Sequence, residues 1–156
     1  MREGTIERRG GFAVFRSERD LAHPVARVWS AITVPAEIER WIGRRPEIDL
    51  RVGGEYVSYH GDGMRVVDEI LRLEPMTLLE HTFWRHVNPE ARVTWELTPV
   101  GDGCLLQFTH RLSEADIAKA VATVAAGADA EQVVTRNAAG WQRLLDGLRQ
   151  SLATVD

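Results

Sequence analysis

A chain of 156 residues with a formal charge of −4 is long enough to bury a sizeable core as one domain without metal or disulfide. Its 19 basic and 23 acidic side chains argue against nucleic acid as a partner, which needs a basic surface. The lone Cys104 excludes an internal disulfide, residues 1–4 show no signal-peptide pattern, and no stretch approaches the roughly 20 apolar residues of a membrane span, so a cytoplasmic protein is expected.

Residues 1–11 read as a flexible, charged leader ending at Gly10-Gly11, and residues 12–156 as a single domain. Phe12–Leu21 reads as a strand. The period then changes: Pro24 suits a first helical position, with Val25, Val28, Trp29 and Ile32 at helical spacing. Pro35 starts a second short helix with Ile38, Trp41 and Ile42 on one side, and Gly43 stops it. Strands follow, separated by turn signals at Gly53-Gly54, Gly61-Asp62-Gly63, Glu74-Pro75, Asn88-Pro89 and Gly101-Asp102-Gly103. Turns at such short intervals imply antiparallel hairpins, because parallel strands need long crossovers. Val93, Trp95 and Leu97 alternate with Arg92, Thr94 and Glu96, and Leu106, Phe108 and His110 with Leu105, Gln107 and Thr109, which predicts half-buried sheet.

Two helices close the chain. Ser113 and Asp116 have approximate capping-box spacing ahead of Ile117, Ala120, Val121 and Val124, which predicts a helix near 114–126. Asp129 with Gln132 can cap the last helix, whose apolar stripe is Val134, Ala138, Trp141, Leu145, Leu148 and Leu152. Such a stripe must lie on an equally long apolar surface, and the concave face of the sheet is the one available. The fold class is therefore α+β. The chain holds five tryptophans, Trp29, Trp41, Trp84, Trp95 and Trp141, of which Trp84 and Trp95 fall in strand-like stretches. Rings arriving from every part of the chain suggest an aromatic-lined interior, either a packed core or a pocket.

The order strand, two short helices, antiparallel strands and long final helix resembles the helix-grip arrangement of the SRPBCC (START-like) superfamily. Arg19, Val28-Trp29, Thr33, Pro35 and Trp41 resemble the opening of the bacterial branch named after the activator of the ninety-kilodalton heat-shock chaperone ATPase. Residues 49–56 (DLRVGGEY) resemble its Gly-Gly hairpin, and residues 79–84 (LEHTFW) its Leu-x-x-Thr-Trp strand, with Phe83 or Trp84 at the tryptophan position. The 93–110 segment resembles its last hairpin, and GWQRLLDGL its final-helix motif. The helix near 114–126 departs from the family pattern and is a candidate lid or homodimer surface. The eukaryotic activators carry a further N-terminal domain that contacts the chaperone, for which 156 residues leave no room.

The resemblance implies that function lies in a cavity between sheet and final helix, while the fold alone does not name the occupant. Alternation turns Leu79, His81 and Phe83 inward, and His110 shares a face with Leu106 and Phe108. The two histidines are either core residues satisfied by backbone or water, or polar anchors or proton-transfer groups in an apolar space. Tyr56 follows the Gly-Gly turn and can point its hydroxyl inward. The expected ligand-binding set is Trp41, Tyr56, His81, Phe83, Trp95, His110 and Trp141, for a small, largely apolar molecule such as a lipid. An enzyme of the cyclase or hydrolase kind using His81 or His110, or a stress-response interaction protein, is the alternative.

His23 reads as a helix cap, His60 as a turn residue and His86 as the residue before a turn, both solvated. Arg19 reads as a surface residue, or as an inward arginine paired to an acid. Asp68 and Glu69 are adjacent and point to opposite faces, so they form no carboxylate dyad. No HxxxH, HExxH or CxxC metal motif, GxSxG elbow or phosphate loop is present, and no cofactor is expected.

Overall fold

A computed structural model of the protein describes residues 3–123 and 129–154. Eight antiparallel strands form one sheet in the order β1-β2-β8-β7-β6-β5-β4-β3. They are β1 (Thr5–Arg9), β2 (Phe12–Leu21), β3 (Glu47–Ile48), β4 (Glu55–His60), β5 (Met64–Glu74), β6 (Leu78–Thr82), β7 (Arg92–Val100) and β8 (Gly103–Ser113). Helices α1 (Val25–Thr33) and α2 (Pro35–Ile42) sit between β2 and β3, and α3 (Glu114–Thr123) and α4 (Ala130–Ala153) close the chain. This is the helix-grip arrangement expected from the element order.

The local reasons are the ones the residues suggest. Pro35 occupies the first turn of α2 and Gly43 ends it in a left-handed conformation. Asp129 and Gln132 form a reciprocal capping box at the start of α4, satisfying two backbone donors that a helix start otherwise leaves open. The Ser113 hydroxyl accepts from the Asp116 amide at 3.0 Å and caps α3. All six residues of the predicted α4 stripe are buried, and five of them, Ala138, Trp141, Leu145, Leu148 and Leu152, meet Phe15, Leu106, Phe108, Trp95 and Leu97 of the sheet in the main core. In the hairpin before β4, Gly53 has φ of 83°, and a Cβ on Gly54 would lie 1.9 Å from the Asp49 carbonyl oxygen. The backbone fold there admits only glycine.

Several expectations are corrected. The segment read as a leader contains β1, which pairs with β2 from Thr5↔Arg16 to Arg9↔Phe12. Residues 5–9 hide from pattern reading because a five-residue edge strand with one apolar side chain, Ile6, shows no alternation. Trp84 is not in a strand: β6 stops at Thr82, and Trp84 sits in the following bend with φ of 54°. His23 does not cap α1; Pro24 holds that position and no side chain caps it. His60 ends β4 rather than lying in the turn. Val124 of the predicted α3 stripe and the breaker Gly127 lie outside the described residues.

Arg19 takes the inward alternative. It is 2% exposed on β2, which is an interior strand because β1 covers its other edge. Its guanidinium donates to Asp146 Oδ1 at 2.7 Å, Gln142 Oε1 at 2.6 Å and Ser17 Oγ at 3.1 Å. A buried arginine needs this many acceptors, and two of them lie on α4, so the contact fixes α4 against β2. A second, smaller core under α3 joins Ala13, Ala91, Leu112, Ile117 and Val134.

Candidate functional site

Sheet register places the inward side chains in rows. Ile70, His81, Val93, His110 and Phe15 lie across β5, β6, β7, β8 and β2. Leu79, Trp95, Phe108 and Ser17 form the adjacent row. Helix α4 covers the β2–β8–β7 end of both rows. Towards β4 the cover passes to the shorter α2, and there a cavity of about 310 Å³ opens.

Its walls are aromatic. Trp41 comes from α2, Tyr56 from β4, His81 from β6, Phe83 from the bend after β6, Trp95 from β7 and Trp141 from α4. Trp95 stands edge-on to both Trp41 and Trp141, with ring centroids 6.2 Å apart in each case. Phe83 tilts against Trp141 at 5.2 Å, and Tyr56 stacks on His81 at 4.4 Å. Ile38 and Leu144 complete the apolar part. Trp41 can approach α4 closely because residue 147 is glycine: a Cβ there would lie 3.3 Å from the Trp41 carbonyl oxygen.

The indole N–H groups of all three cavity tryptophans are used within the protein. Trp41 donates to the Ala31 carbonyl at 2.9 Å, Trp95 to His81 Nε2 at 3.3 Å and Trp141 to His110 Nδ1 at 3.0 Å. The cavity therefore meets ring faces and edges rather than free donors. His81 is committed as well: its Nδ1 lies 2.6 Å from the Thr82 carbonyl oxygen, which fixes the proton on Nδ1 and leaves Nε2 to accept from Trp95. Burial holds its pKa below the ordinary histidine value.

His110 is the one expected site residue that does not line the cavity. It is 3% exposed, behind Phe83 (5.4 Å, edge-on) and Trp141. Since its Nδ1 accepts from Trp141, the proton is on Nε2, which has no partner. Burial, reinforced by His81, pushes its pKa down to about 3. The two histidines share a sheet face, one strand apart across Val93, but Phe83 and Trp141 pack against His110 while Tyr56 stacks on His81.

Polar groups gather on the β4–β5 side. Asp68 is 1% exposed and lines the cavity. Its carboxylate accepts from the Thr82 hydroxyl at 2.8 Å and from the backbone amides of Trp84 and Arg85, each at 3.0 Å. These bonds hold the bend that turns Phe83 inward and keeps Trp84 in its left-handed conformation, one a bulky residue rarely adopts. Tyr56 pairs with Asp68 across β4 and β5, and among the described residues its hydroxyl has no hydrogen-bond partner. Burial, then the charge of Asp68, pushes that hydroxyl's pKa up. Glu69 points away and pairs with Arg85 at 3.0 Å, as strand alternation requires. Ser58, Tyr59, His60 and Arg44 form the rim. His60 Nε2 lies 2.8 Å from the Ser58 hydroxyl, and burial lowers its pKa. Among the described residues no group of three or more metal-ligating side chains comes together.

The model of the family described as "Activator of Hsp90 ATPase homolog 1-like protein" matches residues 22–153. The chain belongs to this family. Among curated proteins none is significantly similar to it. Among solved structures, CalU16 from Micromonospora echinospora is 28% identical with a TM-score of 0.72, over 97% of this chain and 86% of that one. A protein from Mesorhizobium loti is 23% identical with a TM-score of 0.72, over 92% and 98%. The Aha1 dimer from Colwellia psychrerythraea is 13% identical with a TM-score of 0.67, over 89% and 95%. In this activator-homologue chain Phe83, rather than Trp84, supplies the ring that enters the cavity.

Asp68, Ile38, Ser58 and His60 are site residues that pattern reading missed. Asp68 carried the only usable signal: a carboxylate in phase with the buried Val66 and Ile70.

Proposed function

We propose that this protein binds a small, largely apolar molecule in the cavity between α2, the β4–β6 end of the sheet and α4. The observation that carries the reading is an aromatic enclosure of about 310 Å³ whose indole donors are all satisfied from behind. Small-molecule pockets span roughly 300–1,000 Å³ with mostly apolar walls and a few placed polar groups, and this cavity falls at the small end of that range. Every wall can contact a ligand ring or chain without leaving a buried N–H unpaired, which is the usual cost of apolar burial against polar walls.

Catalysis by His81 or His110 fits less well. Both ring nitrogens of His81 are hydrogen-bonded, and the free Nε2 of His110 lies outside the cavity. A general base must reach the proton it takes.

Titration with the neutral dye Nile red tests the reading. A saturable fluorescence rise with a micromolar dissociation constant, about −8 kcal/mol, is expected. Leu144→Trp, which fills the cavity, should weaken binding at least tenfold. A wild-type protein that binds no dye, or a filled variant that binds equally well, contradicts the cavity reading.

A further inference from the structure

The hydrogen-bond inventory of the cavity narrows the chemistry of its occupant. With the indole and His81 nitrogens taken, the inner polar atoms left to a ligand are the Tyr56 hydroxyl and Asp68. An ionised carboxylate offers about four acceptor sites. Three are filled, by Thr82 and Arg85 on Oδ1 and by Trp84 on Oδ2, so Oδ2 retains one. Asp68 is therefore an anchored negative charge, 1% exposed, with acceptor capacity left beside aromatic rings.

We propose that the occupant is an organic cation: a protonated amine on an apolar, preferably aromatic, body, with its ammonium directed at Asp68 Oδ2 and the Tyr56 oxygen. The inference rests on the cavity-binding reading above. Two forces favour the cation over a neutral isostere. A desolvated carboxylate attracts it far more strongly than one in water does. Ring faces also attract cations, indole most of all, and Trp41, Trp95, Trp141 and Tyr56 supply them. The charges around the cavity agree with this orientation. His60 at the rim is held toward its neutral form by burial, and the Arg44 guanidinium sits at the exposed rim, where it donates to the Gly61 carbonyl. Arg85 is turned away and paired with Glu69. An ammonium-inward pose leaves the apolar body against the tryptophans.

Three matched probes test the charge preference by calorimetry at pH 7: 2-naphthylmethylammonium, 2-naphthylmethanol and 2-naphthoate. The ammonium should bind at least tenfold more tightly than the alcohol, with the carboxylate weakest. Asp68→Asn should bring ammonium and alcohol within about twofold of each other, and Tyr56→Phe should weaken the ammonium several-fold while the protein stays folded. An alcohol or carboxylate that binds wild-type protein as tightly as the ammonium overturns the proposal, whether or not Asp68→Asn folds, and leaves the cavity reading intact. Failure of all three probes together with Nile red overturns both.

Discussion

His81 on β6 and His110 on β8 stand in one row of the sheet, with only Val93 between them. Each accepts a hydrogen bond from a tryptophan indole, Trp95 in one case and Trp141 in the other. The region around His110 is closed: Phe83 and Trp141 pack against it, and Phe108 packs on Trp141, beneath the long helix α4. The region around His81 is open: there the cavity lies between the sheet and the eight-residue α2, whose Ile38, Trp41 and Ile42 form its far wall. The same polar pair serves packing at one end of the row and a cavity wall at the other. Cover decides which, and Trp141 is the partition, since its N–H is turned to His110 while the ring lines the cavity.

The strongest way to break this division is to remove the partition. Trp141→Ala should cost about 3–5 kcal/mol, as large-to-small core changes do. A thermal midpoint unchanged within error would contradict the packing described. On the open side, Asp68→Ala strips the acceptor from a hydroxyl and two backbone amides and should cost about 3 kcal/mol. It should also free the bend at residues 83–87 for rapid amide exchange, whereas slow exchange there would show that another group holds the bend.

The closed histidine gives the comparison a pH dimension. Its folded pKa of about 3 lies below an unfolded value of roughly 6.5, so below pH 6.5 the unfolded chain binds the proton and the folded one does not. Stability is then complete above that pH and falls as the solution is acidified towards 3. Between pH 6.5 and 5 the loss attributable to His110 should approach about 2 kcal/mol. His110→Phe should flatten the stability profile by that amount in chemical denaturation. An unchanged slope would mean that His110 is protonated in the fold.

How far the sequence reveals this division depends on the range of the interaction involved. The α4 stripe, the capping box at Asp129 and the alternation in β7 and β8 are periodic, local signals, and each appears as its residues suggest. The inward position of His81 follows from the same alternation. Arg19 was open between two readings because only the tertiary fold brings Asp146 and Gln142 to it. The separation of His110 from the cavity depends on where Phe83 goes, and that depends on a bend with a positive φ at Trp84 and no glycine to announce it. His60 ends β4, but the glycines at 61 and 63 pull the apparent turn one residue too early. Asp68 beside Glu69 suggests a dyad that adjacent strand residues cannot form, and its phase with Val66 and Ile70 is what marks it as buried.

A smaller effect concerns how uniform the closed region is. In α3, Ile117 is buried while Ala120 and Val121 are half-buried, so this helix should open more readily than α4. Amides at 117–121 should exchange faster than those at 141–152, and equal protection would count against a lid role for α3.

The central claim, that the open region is the binding region, is tested most directly by the indole N–H resonances of the five tryptophans in a two-dimensional NMR titration with Nile red. Trp41, Trp95 and Trp141 line the cavity, whereas Trp29 lies in the core beneath α1 and Trp84 outside. Saturable shifts are predicted for Trp41, Trp95 and Trp141, with Trp29 unmoved. Shifts confined to Trp29 or Trp84, or no shifts at saturating dye, would contradict it.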